Sequence, residues 1–287
     1  MKTLRLILIF LPLMACYSSN NSIKIKGSDT EVNLVVALAE EFHKVNSDIL
    51  ISVSGGGSGL GIASLLNGNA DIANSSRSIK QQEIELFHQK NIELDSFIFA
   101  QDAIAFVISD KLTIDSMSVE ALAKILSGEY DDWRHFGQKS QPITIYGRQS
   151  NSGTHSYLKS VLKIEFSPRA KQMNGNAQIL EGVKTDASGI GYVSAGYIFY
   201  GGAPQGVKVL SIYDEKYGRA ISSLDAESIL SKKYLFQRPL LQYFKKSDYP
   251  KIKPFFDFEK SATGIKIIQE MGYYPANYDE HKKTPSG

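Results

Sequence analysis

The chain has 287 residues, of which 43% are hydrophobic, and 32 Lys and Arg stand against 30 Asp and Glu. This size and composition allow two lobes with separate cores, and the lack of a basic excess argues against a nucleic-acid-binding protein. The formal net charge of +2 corresponds to Lys2 and Arg5, which lie in a segment that we expect to be removed. Any selectivity for an anion must therefore come from local groups.

The N-terminal segment is predicted to be an export signal. Residues 6–14 are apolar, and this run is about half the ~20 residues that a membrane-spanning helix needs. Ala15 precedes Cys16, the only cysteine, in a pattern that resembles the lipobox of bacterial lipoproteins. We expect a signal peptide over residues 1–15, lipid attachment at Cys16 and a polar tether over 16–22. An ordinary signal peptide with a chance cysteine is the alternative.

Strands and helices alternate in the first third of the chain. Strands are predicted at residues 22–26, 49–53 and 71–73, and each is followed by a polar turn and an apolar helical stripe. The third helix is predicted from about Ile79, with Ser78 and Gln81 placed as a capping box. This alternation predicts an α/β lobe with a mainly parallel sheet.

An apolar run over residues 97–108, interrupted by Gln101 and Asp102, predicts a strand that leaves this first lobe. A second α/β set follows it. Its predicted elements are a helix near 119–126, a strand at 143–146, a helix beginning near Pro168, a strand at 190–193, a strand at 238–244 and a helix at 265–271.

We therefore expect a two-lobed α/β fold in which the chain crosses between the lobes twice. Lobe I comprises residues 23–101 and 237–287, and lobe II comprises residues 102–236. A cleft between the lobes would lie at the carboxyl ends of the strands, where α/β sheets bind ligands.

Residues 148–154, with the sequence RQSNSGT, place an arginine four positions before a Ser-Gly-Thr turn. The apolar stripe of Tyr157, Leu158, Val161 and Leu162 predicts that a helix begins at this turn. The first amides of a helix have no intrahelical acceptor, and the helix dipole favours an anion there. Together with a guanidinium that can grip two oxygens, they form a site for a tetrahedral oxyanion. An N-cap serine beside an unrelated surface arginine is the alternative.

Three turns of lobe I also carry hydroxyl groups, at Ser28 and Thr30, at Ser58 and at Ser76. Helix capping or a flexible turn explains each of them separately. Their joint occurrence at successive strand-to-helix turns, together with residues 148–154, favours a two-lobed protein that binds an anion.

The sequence resembles the phosphate-binding proteins that serve bacterial ABC transporters. The resemblance rests on IKGSDTEVNLVVALAEEF, SGGGSGLGIASLLNG, ADIANSSR, YGRQSNSGT and SGIGYVS, which occur in this order over nearly the whole mature chain. It implies a periplasmic-binding-protein fold of type II and high-affinity phosphate binding outside the cytoplasmic membrane, in the periplasm or at the cell surface. It also implies delivery of phosphate to the permease subunits of an ABC transporter.

Carried over motif by motif, the resemblance implies that phosphate is held by Asp29, Thr30, Ser58, Ser76, Arg148, Ser152, Gly153 and Thr154. Ser28 and Arg77 are second candidates. The chain departs from many family members at two positions, since Ser150 and Ser76 stand where those members have acids. Asp29 is therefore a candidate for the missing carboxylate.

A carboxylate in an anion site favours a ligand that carries a proton. Phosphate at neutral pH can donate to Asp29, whereas sulfate would leave two acceptors facing each other in a desolvated cleft. A helix N-cap role for Asp29, without ligand contact, is the alternative.

Besides a lipoprotein retained mainly as a surface or sensory protein, two other functions fit parts of the sequence. One is a binding protein for another oxyanion, such as molybdate or sulfate. The other is a secreted hydrolase with Ser58 or Ser152 as nucleophile, but no G-x-S-x-G elbow surrounds Ser58 and the five histidines have no H-E-x-x-H spacing.

The chain also lacks the G-x-x-x-x-G-K-[ST] motif of a transporter ATPase, so the energy for transport must come from a partner. We expect a monomer that is not an enzyme, needs no cofactor or metal, and is attached to a bacterial membrane through its lipid.

Overall fold

The computed structural model describes residues 21–276. The predicted signal peptide over residues 1–15 and the predicted lipid-attachment residue Cys16 lie outside this range. In the first part of the described chain, strands alternate with helices. The elements are β1 (Ser22–Gly27), α1 (Val32–Val45), β2 (Leu50–Ser54), α2 (Ser58–Leu66), β3 (Ile72–Ser75), α3 (Gln81–Gln89) and the long β4 (Leu94–Ser109).

The second part continues the alternation and adds shorter elements. They are β5 (Ser116–Ser118), α4 (Val119–Ser127), a 3-10 turn (Trp133–Phe136), β6 (Thr144–Arg148), α5 (Gly153–Leu162), β7 (Lys171–Met173), α6 (Asn176–Thr185), β8 (Gly189–Ser194), α7 (Ala195–Gly201), β9 (Val207–Asp214), β10 (Arg219–Ile221), α8 (Ala226–Leu230), β11 (Gln237–Lys245), a 3-10 turn (Lys246–Asp248), α9 (Tyr249–Glu259), α10 (Ala262–Glu270) and β12 (Tyr274–Pro275).

The sheet of lobe I has the strand order β2-β1-β3-β11-β4. β1 pairs in parallel with β2 and with β3, as the alternation of strands and helices predicts. β11 lies antiparallel to both β3 and β4, so the sheet is mixed. The carboxyl ends of β1, β2 and β3 lie at one edge, and the turns that lead from them form one wall of the cleft.

The sheet of lobe II continues from the same long strand in the order β4-β8-β6-β7. β6 is parallel to β7 and β8, and β8 is antiparallel to β4. β4 pairs with β11 as far as Ala103 and with β8 from Ile104 onward. β4 therefore runs through both sheets, with β11 beside it, and this confirms a two-lobed α/β fold. The lobe boundaries at 101/102 and 236/237 remain our interpretation.

Each sheet has its own hydrophobic core. The predicted apolar face of α1, formed by Leu34, Val35, Leu38 and Phe42, is fully buried against lobe I. The core of lobe II includes Trp133 and packs against the second half of β4. Because the cores are separate, the lobes are joined chiefly by β4, β11 and the contacts across the cleft.

Two local predictions are wrong. The helix expected near Pro168 begins at Asn176, because its buried stripe of Ile179, Leu180 and Val183 lies further along the chain. The N-cap of α3 is Lys80, two residues later than predicted, and the Glu83 carboxylate accepts a hydrogen bond from its backbone N–H over 2.8 Å.

Candidate anion-binding site

The predicted hydroxyl groups of lobe I lie together at the carboxyl edge of its sheet. Ser28 Oγ donates to Ser76 Oγ over 3.1 Å, and the Ser76 backbone N–H donates to Ser58 Oγ over 3.2 Å. All three residues are at most 2% exposed. The turns after β1, β2 and β3 therefore bring their serines into one buried cluster.

The first turn of α5 in lobe II faces this cluster. Ser152 is the N-cap of α5 and accepts a hydrogen bond from a backbone N–H of the first turn. A Cβ atom on Gly153 would lie 2.3 Å from Ser58 Oγ and 2.4 Å from Ser76 Oγ. Only glycine fits at this close approach, so the start of α5 lies directly against the lobe I hydroxyls.

Two threonines meet across the cleft. Thr30 Oγ1 of lobe I lies 3.5 Å from Thr154 Oγ1 of lobe II, and both residues are almost completely buried. The N-terminal turns of α1, α2 and α5 thus approach one place, where the dipoles of these helices favour negative charge.

Arg148 ends β6 at the same cleft and is 3% exposed. One of its terminal nitrogens donates to the Asn174 carbonyl over 2.9 Å. Its Nε is buried and has no hydrogen-bond partner within residues 21–276. Burial lowers the pKa of the Arg148 guanidinium, whereas Asp29 raises it. Because an arginine stays protonated in proteins, the cleft holds a buried positive charge with a free donor.

Asp29 supplies a carboxylate next to this arginine, with Oδ2 lying 3.6 Å from an Arg148 terminal nitrogen. The same oxygen accepts a hydrogen bond from the backbone N–H of Asn176, the first residue of α6, over 2.9 Å. The N-cap of α6 is Gly175, which has no side chain of its own. Asp29 of lobe I therefore caps a helix of lobe II, a contact that the sequence did not predict.

Further hydrogen bonds close the cleft directly. The Gly59 N–H donates to the Asn151 carbonyl over 3.0 Å, and the Asn151 side chain donates to the Gly56 carbonyl over 3.1 Å. A cavity of about 310 Å³ remains beside Asp29, lined by residues of both lobes. The lobes are thus in contact along the whole predicted site.

Sequence reasoning missed Arg238. This residue lies on β11, is 1% exposed, and forms a buried ion pair with Asp102 of β4 at 2.9 Å. It also donates to Thr154 Oγ1 over 2.9 Å and to Thr30 Oγ1 over 3.0 Å. A signal was present, because Asp102 interrupts one apolar crossover run and Arg238 begins the other. Charges in strands with buried neighbours need partners.

Arg77, a second candidate for contact with phosphate, binds a side chain of α3 instead. Its guanidinium donates two hydrogen bonds to the Glu83 carboxylate, over 2.8 Å and 2.6 Å. His155 stacks on Phe166 at 4.4 Å between ring centroids, and burial lowers its pKa. Burial raises the pKa of Glu31 well above its ordinary value, which favours the neutral acid beside Thr30. These neighbours therefore add little charge to the cleft.

Other kinds of site are not found in the described part of the chain. Within residues 21–276, no three or more His, Cys, Asp and Glu side chains are grouped so that they could hold a metal ion. Over the same range, no helix combines the length and the apolar character needed to cross a membrane.

Two α/β lobes that enclose helix N-termini, hydroxyls and buried arginines define a solute-binding protein. Residues 17–262 match the model of the PBP superfamily domain, so the chain belongs to the PBP superfamily. Within this superfamily, the resemblance to the PstS phosphate-binding proteins is confirmed.

Sequence relatives cover almost the whole chain. The phosphate-binding protein PstS of Borreliella burgdorferi is 29% identical over 280 residues, which cover 91% of this chain and 93% of the relative. PstS of Pseudomonas aeruginosa is 27% identical over 268 residues, covering 87% and 81%.

Solved structures also match. The Borrelia burgdorferi PstS structure has a TM-score of 0.54 at 28% identity and covers 89% of this chain and 98% of that one. A structure from Clostridium perfringens, described as a putative phosphate ABC transporter substrate-binding protein with bound phosphate, has a TM-score of 0.79. At 23% identity, covering 90% of this chain and 100% of that one, it supports the fold alone.

Proposed function

We propose that this protein binds inorganic phosphate in the cleft between its lobes and delivers it to the permease subunits of an ABC transporter. The observation that carries the proposal is the meeting of the α5 N-terminus and Arg148 with the lobe I hydroxyl cluster. These groups are almost all donors, and they are buried where competition from water is weak. Curated relatives over nearly the full length are named phosphate-binding proteins.

The proposed phosphate contacts come from both lobes, which links binding to closure. They are Asp29, Thr30, Ser58, Ser76, Arg148, Ser152, Gly153 and Thr154. Gly153 contributes its backbone N–H at the positive end of the α5 dipole, and the hydroxyls donate to the ligand oxygens. Arg148 supplies a charge-assisted hydrogen bond through its unpartnered Nε.

Phosphate is favoured over sulfate or molybdate because of the carboxylate in the cleft. Asp29 lies beside Arg148 with Oδ2 engaged by Arg148 and by α6. Its other oxygen remains an acceptor toward which a protonated phosphate oxygen can donate. A fully ionised anion has no proton to offer, so it would face this carboxylate without a hydrogen bond.

We further propose that the protein works outside the cytoplasmic membrane as a lipid-anchored monomer and that it is not an enzyme. Cys16, the proposed attachment residue, lies outside the described range, and this chain matches the PBP superfamily domain. Detergent phase partitioning of wild-type protein and Cys16→Ser tests the anchor. Recovery of the wild-type mature protein wholly in the aqueous phase would refute it.

The ligand assignment is tested by denaturing protein purified from its native host and identifying the released anion. Phosphate is the expected product, in amounts close to one per chain. If molybdate or sulfate is released instead, that anion and not phosphate is the ligand. Turnover of a chromogenic phosphate ester that is lost in Ser58→Ala or Ser152→Ala would point to the hydrolase alternative.

A further inference from the structure

The ion pair between Arg238 and Asp102 occupies the place where the two crossover strands run side by side. The residues are register partners in the antiparallel pair of β11 and β4, and both side chains are completely buried. Arg238 Nε and one terminal nitrogen donate to Asp102 Oδ2 over 3.1 Å and 2.9 Å. Ser194 donates to the other carboxylate oxygen over 2.7 Å. The carboxylate is therefore held on both sides and fixes the plane of the guanidinium.

Of the remaining donors of Arg238, one makes a long contact with the Ser76 carbonyl, at 3.5 Å, and the others are directed at hydroxyls. One terminal nitrogen donates to Thr154 Oγ1 and the other to Thr30 Oγ1. A guanidinium has donors only, so each threonine oxygen must act as acceptor toward Arg238. The proton of each hydroxyl must then be given to another group.

Protein acceptors for these two protons are too few. Within residues 21–276, neither hydroxyl has a hydrogen-bond partner besides Arg238 and the other threonine, 3.5 Å away. If one threonine donates to the other, the second still has a proton without an acceptor. A buried donor without an acceptor is costly, and a ligand oxygen in the cleft would remove this cost.

We propose that Arg238, held by Asp102, is a positioning residue that turns the Thr30 and Thr154 hydroxyls into donors for the bound anion. This inference rests on the proposed phosphate site, because it concerns the orientation of two of its hydroxyls. It also explains why one residue contacts both lobes and both crossover strands. The hydroxyl donors reach their working orientation only when the lobes close, so affinity and closure depend on the same side chain.

A double-mutant cycle tests this role through phosphate titration calorimetry. The variants are Arg238→Lys, Thr30→Val with Thr154→Val, and all three changes together. Lysine keeps the charge but cannot hold Asp102 and both threonines at once. We expect Arg238→Lys to weaken phosphate binding by at least about tenfold. In the variant with two valines, Arg238→Lys should lower phosphate affinity by less than about threefold, because the hydroxyls that Arg238 orients are absent.

Two further variants separate orientation from a general structural effect. With Thr30→Ser and Thr154→Ser, which keep the hydroxyls, Arg238→Lys should again cost at least about tenfold. Arg169→Lys, at an exposed arginine on the outside of lobe II, is the matched control and should leave binding unchanged. Thermal unfolding of each variant confirms that it is folded.

The inference is overturned if Arg238→Lys costs the same in the valine and threonine backgrounds, or if it leaves wild-type affinity unchanged. Should Arg238→Lys fail to fold, the valine pair alone decides the matter, since unchanged affinity would show that the hydroxyls donate nothing. If the wild-type protein itself does not bind phosphate, the proposed function is refuted instead. The two failures are therefore distinguishable.

Discussion

Arg148 brings a buried positive charge to the cleft, with one donor that has no protein partner in the described range. We predict that Arg148→Ala weakens every tetrahedral oxyanion, phosphate, sulfate and molybdate alike, by roughly 2 to 5 kcal/mol. The reason is that the Arg148 guanidinium binds the oxygens and negative charge that all these anions share, and does not detect whether the anion carries a proton. Titration calorimetry measures the loss, with the exposed Arg169→Ala as control. Selective loss of a single anion would contradict this role.

Asp29 has two possible tasks that one substitution separates. We predict that Asp29→Asn lowers phosphate affinity and also reduces the preference for phosphate over sulfate, because an amide can donate where a carboxylate must accept. Competition titrations measure both quantities. A preference unchanged within about threefold, alongside weaker binding, would leave Asp29 only its structural contact with α6 and Arg148.

The close approach of α5 to lobe I makes Gly153 a sensitive backbone position in the cleft. We predict that Gly153→Ala weakens phosphate binding strongly, because its Cβ would lie 2.3 Å from Ser58 Oγ and push the lobes apart. The matched control is Gly201→Ala, where an added Cβ meets no atom within 4 Å. Calorimetry and small-angle scattering should show weaker binding and a more open shape for Gly153→Ala only. Equal behaviour of the two variants would contradict direct packing at this helix start.

The end of α9 carries a pH-dependent element of stability. Burial raises the pKa of Glu259 to about 8 from an ordinary value of 4.5, and within residues 21–276 its carboxyl has one hydrogen-bond partner, Gln242. Between these pH values the folded chain keeps a proton that the unfolded chain has lost. The free energy of unfolding should therefore fall as pH rises across this window, by at most about 1.4 kcal/mol per pH unit.

Glu259→Gln removes this titration, so we predict a flatter dependence of the unfolding free energy on pH between 5 and 8. The surface variant Glu270→Gln is the control, since its partner Lys266 is exposed as well. Urea unfolding at several pH values measures the effect. The wild-type slope retained in Glu259→Gln would contradict it. Glu31 is shifted in the same direction and should leave some slope in both variants.

Periodicity predicted the elements near the site well because each has a strong apolar stripe and a clear turn. α1, β4 and the α5 start at Gly153 are examples. Periodicity failed for α6, whose N-cap is a glycine and is capped from the other lobe by Asp29. It also missed α9, which contains Pro254, and the short β5 and β10, which both pair with β9. Such elements depend on tertiary partners that local sequence does not encode.

The two crossover strands explain the one site residue that sequence reasoning missed. Arg238 and Asp102 are 136 positions apart and acquire a joint role only when β11 and β4 pair. Motif resemblance selected the turns of both lobes, because their residues are adjacent in sequence. A lone charge in each of two distant strands carries no such local signature, although burial makes its pairing obligatory.

At the scale of the whole molecule, two lobes with separate cores enclose the proposed anion site and are joined by continuous strands. The proposed phosphate contacts come from both lobes, so all of them can form only when the lobes are closed. Phosphate should therefore favour the closed arrangement. The number of Lys and Arg residues barely exceeds the number of Asp and Glu residues. The positive charge at the proposed site therefore comes from nearby arginines and hydrogen-bond donors, not from the net charge of the protein. Selectivity should therefore depend weakly on overall charge.

Titration calorimetry of the mature, ligand-stripped protein tests the central claim most directly. Phosphate should bind with a clear heat signal at one site per chain and stabilise the protein against thermal unfolding, as any ligand of the native state does. Sulfate and molybdate should give a much weaker signal under the same conditions. No heat and no stabilisation with phosphate, together with a clear signal from sulfate or molybdate, would contradict phosphate binding by this cleft.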